Sequence, residues 1–337
     1  MLALVKGGLR GGVLLTVLSL LGAPESTVAG DRASPARTPT TLPAWKGWSN
    51  CCLLANGRLE VIVVPAVGRI LYLSAAGSPN LLRATYPPPA RAGWANCGGE
   101  WIWPVTQERW KAVWAAEWPP PEEVAAWGWD YRAERGEDGT MYCSLRCRFP
   151  APVSVEVERV ISVPRTGSTV TIRQKIVRLV ESPVPVAAWN LVQVARPDNL
   201  YLPTAPHSRF PEGFRVLMGR VPRELVGRHA GGRSFGCRGG EFKVGTDSMR
   251  VWAAARKDDS LIVLRQMATS ASGRWPDGGC RAEIYFNSGL GYAELETLTP
   301  EVLLKPGEFL TAEIAVTVAF PGPSDPWSIL KSLGDAH

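Results

Sequence analysis

The chain has 337 residues, of which 45% are hydrophobic and 20% charged, and a formal net charge of +6. This length can bury the core of one large β domain or of two smaller ones. The positive charge comes mostly from scattered arginines, which argues against binding to nucleic acid or to a membrane surface. The 34 glycines and 29 prolines favour many short strands joined by turns over a helical protein.

Residues 1–29 have the pattern of a signal peptide. Lys6 and Arg10 form a positive start, and Val13–Leu21 is an apolar stretch too short to span a bilayer. Small residues at Thr27–Ala29 then offer a cleavage site. An uncleaved anchor is the alternative, but the pattern favours cleavage and no attachment to a membrane afterwards.

Residues 30–44 are rich in proline, threonine and serine and are predicted to be a linker with nothing to bury. The mature domain is therefore predicted to span residues 45–337. Because it follows a signal peptide, we expect the protein to be exported, either to a periplasm or out of the cell.

Seven cysteines are present, which is an odd number. Cys143 and Cys147 lie on one predicted strand and are roughly 13 Å apart along it, which is too far for a disulfide between them. Neither a Cys-x-x-Cys pair nor a Cys/His ligand spacing appears, so we predict no metal site and no cofactor. One or two disulfides together with buried thiols are expected, and their pairing is left open.

Alternation of apolar and polar residues dominates the predicted domain, and turn residues separate most of the alternating segments. The sequence therefore predicts an all-β sandwich of roughly fifteen antiparallel strands. One helix is predicted near 325–334, where Asp325 and Pro326 provide a start signal. The predicted strands cover 59–64, 69–74, 141–149, 153–158, 170–176, 185–195, 249–256, 260–267, 281–287, 290–297 and 310–318.

Residues 96–110 (NCGGEWIWPVTQERW) concentrate three tryptophans, a Gly-Gly turn and several polar side chains in a short segment. We considered three interpretations: a sugar-binding surface, a catalytic segment whose acid is replaced by Cys97, or aromatic packing. Flat aromatic rings beside planar polar groups are typical of sugar sites. Trp101 and Trp103 share a face if the segment is extended. The composition therefore favours the sugar-binding surface.

Three segments together resemble the galactose mutarotase-like (aldose epimerase) superfamily. They are NGRLEVIVVPAVGRILYLSAAGSPNLL (56–82), the 96–110 segment, and YAELETLTPEVLLKPGEFLTAEIAVTVAF (292–320). Their order and spacing match over residues 56–320. The resemblance implies a β-supersandwich of two large antiparallel sheets with a carbohydrate-binding groove on one concave face.

The resemblance also implies catalytic residues for mutarotation, in which a base takes the proton of the anomeric hydroxyl and an acid protonates the ring oxygen. Glu296 matches the family's base, and Glu294 shares its face because the two are two residues apart on a predicted strand. The family's His-Gly-Gly loop is Cys97-Gly98-Gly99 here. Its second histidine should fall within 187–198, where Trp189, Asn190 and Gln193 stand instead.

The sequence thus predicts an exported carbohydrate-recognising protein whose acid/base set is incomplete. An active epimerase that uses Glu296 as base, or a structural envelope protein, are the alternatives. A carbohydrate is the expected ligand, and the oligomeric state is left open. The predicted catalytic residues are Glu296 and Glu294, and the predicted substrate-binding residues are Arg69, Cys97, Glu100, Trp101, Trp103, Gln107, Arg109, Trp189, Gln193 and His207.

Overall fold

Short alternating segments separated by turns fold into two large antiparallel sheets. The computed structural model describes residues 38–89, 94–121, 124, 127–323 and 325–333. The predicted signal peptide and residues 30–37 of the predicted linker lie outside them. The first ten strands are β1 (Thr40–Trp45), β2 (Trp48–Ala55), β3 (Leu59–Val64), β4 (Arg69–Ala75), β5 (Glu100–Trp103), β6 (Asp130–Arg135), β7 (Met141–Phe149), β8 (Val155–Val163), β9 (Thr169–Arg178) and β10 (Trp189–Ala195).

The second half of the chain continues the same all-β pattern. Its strands are β11 (Asn199–Pro203), β12 (Arg215–Gly219), β13 (Val226–His229), β14 (Gly232–Gly236), β15 (Glu241–Thr246), β16 (Trp252–Lys257), β17 (Ser260–Thr269), β18 (Ala282–Asn287), β19 (Tyr292–Leu298) and β20 (Phe309–Ala319). Sheet 1 has the order β1-β2-β3-β4-β5-β10-β19-β18-β15-β12, and sheet 2 has the order β13-β14-β11-β16-β17-β20-β9-β8-β7-β6. The all-β prediction with two large antiparallel sheets is confirmed.

The inner faces of the two sheets form one apolar core. On β8, Val155, Val157 and Ile161 are fully buried and alternate with partly exposed residues. On β19, Leu295 is likewise fully buried, between Glu294 and Glu296. The alternation read from the sequence is the physical consequence of this arrangement, because one side of each strand faces the other sheet and the other side does not.

Strand β1 corrects the predicted linker. Thr40 pairs with Leu53 and Leu42 with Cys51 in an antiparallel ladder with β2. Leu42 and Trp45 also pack against a small buried cluster that includes Trp48. Residues 40–44 therefore do make apolar contacts, and the prediction that they have nothing to bury is wrong.

Two α-helices lie wholly within the described part of the chain. The second, α2 (Trp327–Ser332), confirms the predicted C-terminal helix, and Asp325 Oδ1 accepts the backbone N–H of Trp327 at 3.0 Å. The first, α1 (Gln107–Trp114), was not predicted. Trp110 is its one buried residue, so the periodicity of its sequence is weak. Among the described residues, no helix is long and apolar enough to cross a membrane.

Candidate functional site

The two glutamates of β19 project from the same side of sheet 1, as their spacing predicts. They alternate with the core residue Leu295, so they point away from sheet 2. Strand β18 places Glu283 directly opposite Glu296, and β15 lies next and carries Lys243. We call this side of sheet 1 the carboxylate face, defined by Glu283, Glu294, Glu296 and Lys243.

Glu296 is enclosed in an ion-pair cluster. Lys243 Nζ lies 2.8 Å from Glu283 and 2.9 Å from Glu296, and Trp189 Nε1 donates to Glu296 Oε2 at 2.6 Å. Both carboxylates are fully buried. Burial opposes the charge of Lys243, but the two carboxylates outweigh it and raise the pKa of the lysine well above its usual value. Glu296 is therefore a buried carboxylate already occupied by two donors.

Glu294, in contrast, is partly exposed. Gln193 Nε2 donates to its Oε1 at 2.7 Å. Burial, reinforced by the charge of Glu296, raises the pKa of Glu294 to about 7. A carboxyl with this pKa can both give and take a proton near neutral pH, which is the property that general acid–base chemistry requires.

The surroundings of Glu294 supply further polar groups. Arg83 Nη1 donates to the backbone oxygen of Asn96 at 2.6 Å and to Gln193 Oε1 at 3.4 Å. Asn96 Nδ2 in turn donates to the hydroxyl of Tyr292 at 3.4 Å. We call these five residues the Glu294 patch. They combine a carboxyl, two amides, a guanidinium and a phenol, and this set can bind sugar hydroxyls as donor or acceptor.

The pKa of Glu294 has a measurable consequence for stability. Between about pH 4.5 and 7 the unfolded chain has lost the proton that the folded protein keeps, so the free energy of unfolding falls as the pH rises through this window. For a shift of this size the loss approaches about 3 kcal/mol. We expect the Glu294→Gln variant to become more stable relative to the unmodified protein between pH 4.5 and 7, measured by urea unfolding. A pH-independent difference would contradict the shifted pKa.

The tryptophans of residues 96–110 fill space beneath α1. Trp101 and Trp103 are each 3% exposed, and Trp110 is fully buried. The ring of Trp103 lies 4.8 Å from that of Trp189 and 5.1 Å from that of Trp110. The rings of Trp101 and Trp103 are thus covered, and the expectation that they present open faces to a sugar is wrong. Aromatic packing describes this segment.

An exposed indole lies at the edge of the same cluster. Trp118 is 56% exposed, and its ring stacks on Trp110 at 6.3 Å with an interplanar angle of 22°. It also meets the partly buried Trp94 edge-on at 5.9 Å. Sequence reasoning missed Trp118. The available signal was its position before three consecutive prolines, where no alternation or helical periodicity would bury it.

Two predicted ligand residues have structural partners instead. Glu100 points to the opposite side of sheet 1, into the core, where it forms a fully buried ion pair with Arg159 of sheet 2. Arg109 lies on α1 and binds Glu301 through two hydrogen bonds of 2.8 and 2.5 Å. Glu100 cannot contact a ligand from there, so that prediction is wrong. Arg109 fastens α1 to the segment after β19.

Cys97 is buried and is not accessible to a ligand. Its side chain is 1% exposed, and burial raises the pKa of the thiol. The backbone beside it requires glycine, because Gly98 has a φ of +75° and an added Cβ would lie 2.1 Å from the carbonyl oxygen of Arg83. Arg69 Nη1 donates to the backbone oxygen of Gly98 at 2.9 Å, and its guanidinium lies 4.1 Å from the centre of the Trp101 ring. Cys97 and Arg69 therefore hold this turn in place.

A pocket of about 340 Å³ opens between α1 and strands β12 and β15. Its lining includes Gln107, Lys111, Asp277 and the ammonium-bearing Lys243. This volume lies at the small end of the range for small-molecule sites, roughly 300–1,000 Å³. Gln107, a predicted substrate-binding residue, therefore lines a pocket beside the carboxylate face.

His207 is exposed in the loop between β11 and β12. No hydrogen bond or ion pair within the described residues joins it to Glu294 or Glu296. In the same part of the chain, no group of three histidine, cysteine, aspartate or glutamate side chains could hold a metal ion.

Solved structures with the same arrangement of sheets were found by comparison. A candidate aldose 1-epimerase from Escherichia coli K12 superposes with a TM-score of 0.54 at 15% identity, covering 79% of this chain and 98% of that one. A galactose mutarotase-like protein from Lactobacillus casei gives 0.51 at 10% identity, covering 80% of this chain and 100% of that one. The chain has the galactose mutarotase-like fold. No family model and no curated relative matches the sequence.

A third solved structure with this mutarotase-like fold is a candidate mutarotase from Salmonella typhimurium. It superposes with a TM-score of 0.53 at 11% identity, covering 80% of this chain and 90% of that one. Similarity at these identities establishes the architecture, and the chemistry has to be argued from the side chains of this chain.

Strand β10 (Trp189–Ala195) lies within residues 187–198, where the resemblance leads us to expect a second histidine. Trp189 and Gln193 project onto the carboxylate face, where they donate to Glu296 and Glu294. Asn190 points to the core side and donates to Thr297 Oγ1 at 3.2 Å. Of the three residues that the sequence offered in place of this histidine, Trp189 and Gln193 therefore lie on the carboxylate face and Asn190 does not.

Proposed function

We propose that this protein recognises a carbohydrate at the Glu294 patch and does not carry out mutarotation through Glu296. The observation that carries the proposal is the contrast between the two carboxyls of β19. Glu296 is buried and bound by Lys243 and Trp189, whereas Glu294 is partly exposed beside Gln193 and Arg83. The Glu294 carboxyl is thus the more accessible of the two to a sugar hydroxyl.

Recognition rather than catalysis follows from the groups that flank the two carboxyls. The resemblance places acids at Cys97 and near β10, but Cys97 is a buried thiol with a raised pKa. An indole N–H at Trp189 and an amide at Gln193 do not release protons near neutral pH. The acid/base set for mutarotation is therefore incomplete in this proposal.

An active epimerase remains the second candidate, and one observation favours it. The carboxyl of Glu294 has a pKa of about 7, so it could act as acid in one step and as base in the next. In that case the chemistry would depend on Glu294 instead of Glu296. A structural envelope protein is the third candidate and would need no ligand.

The site of action is part of the proposal. The charged start, short apolar stretch and small residues of residues 1–29 support export to a periplasm or out of the cell. Release of the signal peptide would leave a domain that meets its carbohydrate outside the cytoplasm.

Ligand-dependent stability tests the proposal. We expect the melting temperature of the full chain to rise by several degrees with a saturating sugar from a panel of galactose, glucose, glucosamine and maltotriose, because ligand binding stabilises the folded state by mass action. Glu294→Ala should abolish the shift. The matched control is Glu313→Gln, which removes a partly exposed carboxylate on the outer side of sheet 2.

Two outcomes would contradict parts of the proposed function. If no sugar in the panel shifts the melting temperature, the scaffold candidate is preferred over recognition. Polarimetry on freshly dissolved α-glucose addresses catalysis, and we expect a rate near the spontaneous one. A much faster rate that is lost in Glu294→Gln would establish the epimerase candidate instead.

A further inference from the structure

Two buried cysteines meet across the sandwich. Cys52 lies on β2 of sheet 1 and Cys143 on β7 of sheet 2, and Cα atoms of these two strands approach within 8 Å. Both side chains are fully buried in the same apolar core. The side chains of Cys52 and Cys143 interact with each other, which lowers the pKa of the Cys52 thiol and raises that of the Cys143 thiol. The two thiols thus lie on neighbouring strands of the two sheets, in the same buried interior.

The remaining thiols point elsewhere. Cys51 faces the opposite side of sheet 1, packs in a separate small cluster, and lies 3.6 Å from the backbone oxygen of Trp48. Cys147 and Cys237 contact backbone oxygens of their own strands or of adjacent residues. Within the described residues, Cys52 and Cys143 are two buried thiols on facing strands whose side chains interact with each other. We propose that they are the site of an intramolecular disulfide that joins the two sheets.

The chemistry requires an external disulfide as oxidant, such as glutathione disulfide or a thiol–disulfide oxidoreductase. The thiolate of Cys52 attacks that disulfide and forms a mixed disulfide, releasing one thiolate. The thiolate of Cys143 then displaces the second. One sulfur–sulfur bond forms, two protons leave, and two electrons reduce the oxidant. Because both sulfurs are inaccessible to an oxidant in the folded core, the disulfide has to form before the two sheets pack together.

Refolding of the full chain tests this inference independently of any sugar. The fully reduced chain is refolded in a mixture of glutathione and glutathione disulfide, alkylated in denaturant, digested without reduction and mapped by mass spectrometry. We expect a linked pair of peptides that contains Cys143 and the Cys51-Cys52 segment. In the folded protein the link should resist dithiothreitol, and it should become reducible once urea is added.

The vicinal cysteines provide a matched control, since a peptide map alone does not separate Cys51 from Cys52. Cys51→Ala should keep the link to Cys143, whereas Cys52→Ala should lose it. The bond closes a long loop, so we expect the oxidised protein to melt roughly 10 °C above the reduced one. The inference is overturned if Cys52 is alkylated in the refolded protein, or if the link survives in Cys52→Ala. If a variant does not fold, the peptide map of the unmodified chain still tests whether Cys143 is linked to the Cys51-Cys52 segment.

Discussion

Arg159→Leu is expected to lower the free energy of unfolding by about 3–5 kcal/mol. Arg159 and Glu100 are both fully buried between the sheets, and Arg159 also donates to the backbone oxygen of Gly68 at 2.5 Å. Removing the guanidinium leaves the Glu100 carboxylate in the core without its hydrogen-bonded ion-pair partner. Urea unfolding followed by circular dichroism measures the loss.

The ion pair between Arg173 and Glu313 is the control. It joins β9 to β20 at 2.9 Å on the outer side of sheet 2, and the side chain of Arg173 is 74% exposed. Arg173→Leu should therefore change stability by less than about 1 kcal/mol. Equal effects of the two substitutions would contradict the assignment of the Arg159–Glu100 pair to the core.

Trp103→Ala is expected to cost about 3–5 kcal/mol of unfolding free energy. The ring of Trp103 packs against Trp101, Trp110 and Trp189, so its removal leaves a cavity beneath α1 that the surrounding rings cannot fill completely. Thermal or urea denaturation would measure this loss.

Trp118→Ala provides the contrast, because its ring is 56% exposed. We expect it to cost about 1 kcal/mol or less of stability. If the exposed indole contributes to sugar binding, the same variant should bind the stabilising sugar several-fold more weakly by titration calorimetry. A large stability loss in Trp118→Ala together with a small one in Trp103→Ala would reverse our assignment of the two rings.

Strands with one buried side could be predicted closely from sequence. The alternation in MYCSLRCRF places β7 at Met141–Phe149, and the apolar run at 59–64 coincides with β3. Strand β5 gives no such signal, because all four of its residues are buried. One side of β5 faces sheet 2 and the other lies under α1, so the usual period of two is lost.

Of the residues of the candidate site, the sequence predicted Glu294 and Glu296 from their spacing and Gln193 from the resemblance. The two-residue spacing of Glu294 and Glu296 placed them on one side of β19. Lys243 and Glu283 join Glu296 through strand pairing across long stretches of chain, and nothing local indicates that pairing. The signal that could have found Lys243 is a single charged residue between the apolar Phe242 and Val244.

The order of the strands determines when during synthesis the two sheets can be completed. In sheet 1, β19 separates the block β1–β5 and β10 from β18, β15 and β12, and in sheet 2, β20 separates β6–β9 from the block that contains β17. The last two strands of the sequence therefore connect the two halves of both sheets. A nascent chain that lacks them cannot complete either sheet, since these pairings close very long loops. Both sheets can therefore be completed only after nearly the whole length of the chain has been synthesised.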